Sequence, residues 1–167
     1  MRLFSRRRPK ADELQELYRQ HGPALLLYAT SILERRHAAE DVLQQVFMEM
    51  LEQNTIPEEP RPYLFRAVRN RALNLMRHER QNAPLTEIQP WFETKAGDPA
   101  LEVALRSGLR ALGEEQRQAV ILHLWGGLSF AEIAAVLEIP ANTAASRYRY
   151  ALQRLRSLMR AEDSPCR

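Results

Sequence analysis

The chain is predicted to be all-α: two small helical domains joined by a flexible linker, the C-terminal one with a helix-turn-helix. Three observations lead there. Apolar residues recur at three- and four-residue spacing through most of the 167 residues, and no segment keeps a two-residue alternation. The stretch QNAPLTEIQPWFETKAGDP, with three prolines, interrupts that spacing near the middle. Toward the C-terminus, SFAEIAAVLEIPANTAASRYRYALQRL carries the start and stop signals of two consecutive helices.

Each element follows from its residues. Residues 1–11 read as a flexible basic arm and residues 12–81 as the first domain. In that domain Leu14, Leu17, Tyr18, Leu25, Tyr28, Ala29 and Ile32 keep a helical spacing, with a kink or restart expected at Gly22-Pro23. A second helix, from about Ala38 to Gln53, places Val42, Val46, Phe47 and Met50 on one face, and NTIPEEPRP breaks it. A third, from about Pro62 to Gln81, turns Leu64, Ala67, Val68 and Leu75 inward, with the stem of Arg71 beside them. Residues 82–99 are the linker. Trp91 and Phe92 within it either cover an adjacent apolar surface or meet a partner. The second domain spans 100–161 and a tail 162–167. Leu101, Ala104, Leu105, Leu109 and Leu112 make a helix stopped by Gly113, and Gln116 to Trp125 makes another ended by Gly126-Gly127, since glycine tolerates the positive φ of a helix stop.

The last two helices carry the strongest local signals. Ser129 and Glu132 form a capping box, and Phe130, Ile133, Ala134 and Leu137 an apolar face. Pro140 disfavours helix at the residue before it, so the helix ends at Glu138-Ile139, and Asn142 or Thr143 is expected to cap the next. At 100° per residue, Ala144, Tyr148, Ala151, Leu152, Leu155 and Met159 share the inner side of that final helix. Asn142, Ser146, Arg149, Tyr150 and Gln153 share the outer side, flanked by Arg147, Arg154 and Arg156. Hydrogen-bonding tips between arginines suit the major groove, where base edges take polar groups and phosphates take positive charge. An arginine-rich helix alone would be an ordinary solvated surface; the capped helix and tight turn before it favour DNA binding.

Charge is distributed in blocks. The net charge is only +3, but Arg2, Arg6, Arg7, Arg8 and Lys10 make the N-terminus basic. Residues 34–60 hold seven carboxylates against Arg35 and Arg36, residues 61–82 six arginines and one glutamate, and residues 147–160 five arginines and no acid. Such alternation suggests a polyanion for the basic blocks and a protein for the acidic one.

With these residues in view, GLSFAEIAAVLEIPANTAASRYRYALQRLR resembles the C-terminal domain of bacterial RNA polymerase sigma factors of the small, two-domain extracytoplasmic-function (ECF) class. AEDVLQQVFMEMLE resembles region 2.2 of that family, with Asp41, Gln44 and Phe47 on its D-x-x-Q-x-x-F pattern. RPYLFRAVRNRALNLMRHER resembles regions 2.3 and 2.4, with Leu64, Ala67, Asn70 and Arg77 on pattern. The likeness covers about residues 12–160. It implies a cytoplasmic transcription initiation factor that binds core RNA polymerase, through the β′ clamp helices and the β flap, and directs it to promoter DNA. It also implies an anti-sigma factor as a partner.

By position, the resemblance makes Asp41, Gln44, Gln45, Glu49 and Glu52 the polymerase-docking residues, although Glu49 and Glu52 also read as a solvated face. It assigns Tyr63, Arg66, Arg69, Asn70, Asn74 and Arg77 to the melted −10 element, with Arg71 and His78 on the same helix. Tyr63 is there either to stack on a base or as core. It assigns Asn142, Thr143, Ser146, Arg147, Arg149, Tyr150, Gln153 and Arg154 to the −35 duplex, with Arg147 and Arg154 on phosphates. Asn74 stands where the family usually has Asp, Asn142 where it usually has Gly, and Ala145 where a basic residue is common. Arg149-Tyr150 departs from a usual order that puts Arg at the second place. A bidentate base contact is worth about 1–3 kcal/mol, so the −35 preference is expected to differ from the family's commonest.

Other classes find little support. His21, His37, His78 and His123 are scattered, no phosphate loop or nucleophile elbow occurs, and the single Cys166 can form neither an internal disulfide nor a metal cluster. No enzyme activity, cofactor or metal is expected, and no apolar run suffices for membrane insertion. His123 reads as a structural residue. A stand-alone helix-turn-helix regulator is the alternative, but it should carry a dimerisation helix with apolar a/d repeats, and none is evident.

Overall fold

The computed structural model describes residues 6–9, 12–82 and 99–162. Seven helices and one pair of two-residue strands occur among them. Most of the predicted linker, with Trp91 and Phe92, lies outside the described residues, as do Cys166 and most of the tail and arm.

The first half is built by β1 (Arg6–Arg7), α1 (Glu13–Leu33), α2 (Arg36–Gln53), β2 (Ile56–Pro57) and α3 (Pro60–Asn82). The kink or restart expected at Gly22-Pro23 does not occur: α1 is one helix with Pro23 inside it. Pro23 faces solvent, whereas Leu17, Leu25, Tyr28, Ala29 and Ile32 are buried against α2 and α3, and this packing holds the helix across the missing N–H. Helix α2 buries Val42, Leu43, Val46, Phe47 and Met50, and α3 buries Leu64, Phe65, Val68 and Ala72. Part of the arm differs from the flexible segment expected. Arg6 and Arg7 pair antiparallel with Pro57 and Ile56, and the Arg7 guanidinium grips Glu13.

The second half comprises α4 (Pro99–Ala111), α5 (Glu114–Leu124), α6 (Phe130–Leu137) and α7 (Ala141–Glu162). Its core is Leu109, Leu112, Val120, Ile121, Leu122, Ile133, Val136, Ala144 and Ala151. His123 is half-buried, stacked on Phe130 at 4.7 Å and edge-on to Tyr148 at 4.6 Å, with Nδ1 2.8 Å from the Leu128 carbonyl. An imidazole held by two rings and a carbonyl is a structural wedge, as expected.

The two halves are not independent. Helix α1 packs against α5, and α3 against α6. The Tyr28 hydroxyl donates to Gln118 Oε1 at 3.2 Å, and Gln118 Nε2 donates to Glu114 Oε1 at 3.0 Å. Gly126 lies tight against the first half: a Cβ there would sit 3.0 Å from the Phe65 ring, and also 2.5 Å from the Leu122 carbonyl oxygen of its own half. No helix among the described residues is long and apolar enough to cross a membrane.

Candidate nucleic-acid interface

The helix-turn-helix forms from the signals in its sequence. Ser129 Oγ accepts from the Glu132 backbone N–H at 3.2 Å, and the Glu132 carboxylate accepts from the Ser129 N–H at 2.7 Å. Burial pushes the Glu132 carboxyl upward, but the Ser129 hydrogen bonds and the Arg61 guanidinium outweigh it and hold the group below its ordinary 4.5. Helix α6 ends at Glu138 in the left-handed region, φ 59°, with its N–H on the Ala134 carbonyl. Helix α7 starts at Ala141, ahead of both expected caps. The Pro140 carbonyl accepts from Thr143 and Ala144 at 3.0 and 3.1 Å, so Asn142 and Thr143 lie in the first turn. No acidic side chain occupies that turn, which leaves its N-terminal positive end open to an anion.

On α7 the outer row of Asn142, Arg149, Tyr150 and Gln153 is exposed, while Thr143 and Ser146 are half-buried and Ser146 Oγ donates to the Thr143 carbonyl at 3.0 Å. The inner side is Ala144 and Ala151, with Tyr148 and Leu155 packed beside them. The two arginines assigned to phosphates have protein partners. Arg147 Nη2 lies 2.6 Å from Glu115 Oε1 on α5, and Arg154 Nε donates to the Ala111 carbonyl at 3.2 Å, satisfying the end of α4. Both therefore help to fix α7 on its own domain. That second role was not legible, because their partners lie 32 and 43 residues away.

The α3 candidates divide along the helix. Asn70, Asn74 and Arg77 are exposed, with Asn74 Oδ1 3.5 Å from Arg77 Nη1, and His78 beside them is exposed too. Tyr63 is half-buried and packs on the core. Arg66 Nη2 pairs with Glu138 Oε1 of the second half at 2.9 Å. Arg69 has a buried Nε and lies close enough to Tyr28 to act on its hydroxyl. That hydroxyl is driven above the ordinary phenol range by burial, against Arg69 and with help from Glu114. Arg71 points the other way and binds Gln45 and Glu49 of α2.

Along α2, Asp41, Gln44, Gln45, Glu49 and Glu52 are all exposed, but Gln45 and Glu49 are engaged by Arg71. Two apolar residues share this side, Met48 at 53% and Leu51 at 60% exposure. The sequence reading missed them, although 41, 44, 48 and 51 follow a single helical row. No group of three or more His, Cys, Asp or Glu that could hold a metal ion occurs among the described residues.

Comparison with known proteins places both halves. The family described as sigma-70 region 2 matches residues 17–82, and that described as sigma-70, region 4, matches residues 102–155. The chain is 26% identical over 156 residues to the RNA polymerase sigma factor CarQ of Myxococcus xanthus, covering 89% of this chain and 90% of that protein. It is 29% identical over 160 residues to the ECF RNA polymerase sigma factor SigE of Mycolicibacterium smegmatis, covering 89% of this chain and 62% of that one. Among solved structures it resembles the sigma factor RpoE in complex with the anti-sigma factor NepR from Bartonella quintana. There the TM-score is 0.74 at 25% identity, over 90% of this chain and 98% of that one. It also resembles CnrH in complex with the cytosolic domain of CnrY, with TM-score 0.62 at 26% identity, over 91% and 90% of the two chains.

Proposed function

The chain belongs to the sigma-70 family, in its ECF class, and from that premise we propose how its surfaces divide the work of initiation. The protein is a non-enzymatic transcription factor that directs RNA polymerase to promoters. In the proposed division, α7 reads the −35 element as duplex, with Asn142, Ser146, Arg149, Tyr150 and Gln153 toward base edges. The backbone of its N-terminal turn, at Thr143, and the side chains of Arg147 and Arg154 take phosphates. The observation that carries this is the exposed polar row on a helix whose capped partner and three-residue turn hold it rigidly.

Helix α3 takes the −10 element as a melted strand. Asn70 and Asn74 offer amides to base edges, Arg66, Arg69 and Arg77 offer charge to the backbone, and Tyr63 contributes its ring at the N-terminal end. The exposed row of α2, with Asp41, Gln44, Gln45, Glu49 and Glu52, docks on the β′ clamp helices. Met48 and Leu51 add an apolar centre to it, the composition expected of a protein interface. The second half meets the β flap. The structural neighbours were solved with anti-sigma factors, and the whole-chain likeness to them supports an anti-sigma partner here as well.

The test is to add the purified protein to sigma-free core polymerase and map transcription starts on a genomic fragment library. Discrete core-dependent starts sharing elements near −35 and −10 are expected. Binding to duplex DNA without such starts would point instead to a stand-alone helix-turn-helix regulator.

A further inference from the structure

We propose that Glu115 limits the strength of sequence-independent duplex binding by competing with the DNA backbone for Arg147. This rests on the reading of α7 given above. Residues 147–160 carry five arginines and no acid, as a phosphate-binding flank requires. The fold nevertheless brings a carboxylate onto that flank from another helix. Glu115 stands in the first turn of α5, and its Oε1 lies 2.6 Å from Nη2 of Arg147, 32 residues away in the sequence. Arg149 on the same helix is exposed, whereas the Arg147 side chain is only 21% exposed. An N–H group engaged by a carboxylate cannot be given to a phosphate oxygen at the same time, so the two anions compete for one guanidinium.

The surroundings suit a competitor better than a structural clamp. The Glu115 side chain is 70% exposed, so the pair opens to solvent, from where a phosphate can reach it. An ion pair so open contributes little to folding. Nor does α5 depend on Glu115 for its start, because Glu114 occupies the same turn and accepts from Gln118 Nε2 at 3.0 Å. The junction that carries Glu115 is firmly seated. Arg154 Nε donates to the Ala111 carbonyl at 3.2 Å, and a Cβ on Gly108 would lie 2.9 Å from Leu155 Cδ2. Arg147 and Arg154, two turns apart on one side of α7, thus both meet the end of α4 and the start of α5, and this seating holds the Glu115 backbone beside α7.

Glu115→Gln removes the charge and keeps both the size of the side chain and a good helix former. The full-length variant is titrated against a labelled random-sequence duplex of about 30 base pairs, by fluorescence anisotropy from about 50 to 300 mM KCl. The same substitution in an Arg147→Ala background completes a double-mutant cycle. Circular dichroism checks the fold, and Arg147→Gln replaces Arg147→Ala if that protein folds poorly. With Arg147 present, Glu115→Gln should tighten binding about fivefold at ~100 mM salt and steepen the slope of log K against log salt by about 0.9, the release of one more counterion. With Arg147 removed, the slope should not move and the gain should fall below about twofold, what remains being the repulsion between Glu115 and the duplex. A slope unchanged by Glu115→Gln, or a gain equal in both backgrounds, would overturn the proposal, while duplex binding by the native protein would leave the reading of α7 standing. No salt-dependent duplex binding by any of the four proteins would sink that reading and the proposal with it.

Discussion

At the scale of single residues, the outer row of α7 and the arginines beside it make different demands. Arg149 is exposed on the proposed reading face, so Arg149→Ala should change preference at particular −35 base pairs, at about 1–3 kcal/mol for a lost bidentate contact. Arg154 also satisfies the Ala111 carbonyl, so Arg154→Ala should weaken all duplex sites alike and lower the melting temperature of the protein as well. Binding to a base-substituted duplex series, together with thermal unfolding, separates the two; a uniform effect from both would mean the reading face is misassigned. Glu132 gives a pH signature. Its folded carboxyl titrates below the ordinary 4.5, so its contribution is complete above that value and is lost as pH falls through the depressed one. Urea midpoints from pH 5.5 down to 3.5 should therefore fall further in the native protein than in Glu132→Gln. The capping box itself was legible, because its partners are three residues apart. The Arg61 bridge that reinforces it was not, because its partners are 71 residues apart.

At the scale of elements, helices were read well wherever both ends carried chemistry. The ends of α6 follow from Ser129 and Pro140, and the end of α5 from Gly126-Gly127, although α5 starts at Glu114, two residues before the Gln116 expected. The reading failed at Pro23, where a local breaker was overridden by burial on the opposite face of α1, and at Arg6–Arg7, where two residues too short to show a pattern found a strand partner 50 residues on. The α2 row offers the sharpest test at this scale. Met48→Gln with Leu51→Gln removes two exposed apolar side chains while keeping good helix formers, so the unfolding free energy should move by no more than about 0.5 kcal/mol per site. If these side chains are buried on docking, at ~1.5–3 kcal/mol each, affinity for core polymerase should fall at least about tenfold. Fluorescence anisotropy of the labelled protein measures this, and an unchanged affinity would remove α2 from the docking surface.

At the scale of the whole molecule, the contacts between α1 and α5 and between α3 and α6 are expected to make the two halves one folding unit. Tyr28 and Phe65 are completely buried, with their rings 5.7 Å apart, and Phe65 reaches Gly126 of the other half. Cutting the chain at a protease site engineered between residues 83 and 98 should therefore leave two fragments that co-elute on size exclusion at low salt. They should unfold in one transition on heating. Fragments that separate, or two well-resolved transitions, would show the halves to be independent. Contact between the halves also changes the meaning of the charge blocks. The arginines of residues 61–82 read as a single polyanion-binding surface in the sequence, yet Arg61 and Arg66 face carboxylates of the second half and Arg71 that of Glu49 on α2.

By itself the sequence determined the all-α class, the order of the elements, the helix-turn-helix with the capping box of its first helix, the core faces and the two family motifs. Each of these rests on residues within a turn or two of one another, where helical periodicity and capping chemistry are set locally. Only the tertiary structure decided which arginines remain exposed to solvent, that Met48 and Leu51 stand open on α2, and that the halves meet through Tyr28, Gln118, Arg66 and Glu138. Those outcomes depend on side chains brought together from 22 to 90 residues apart, and no spacing along the chain encodes such a meeting.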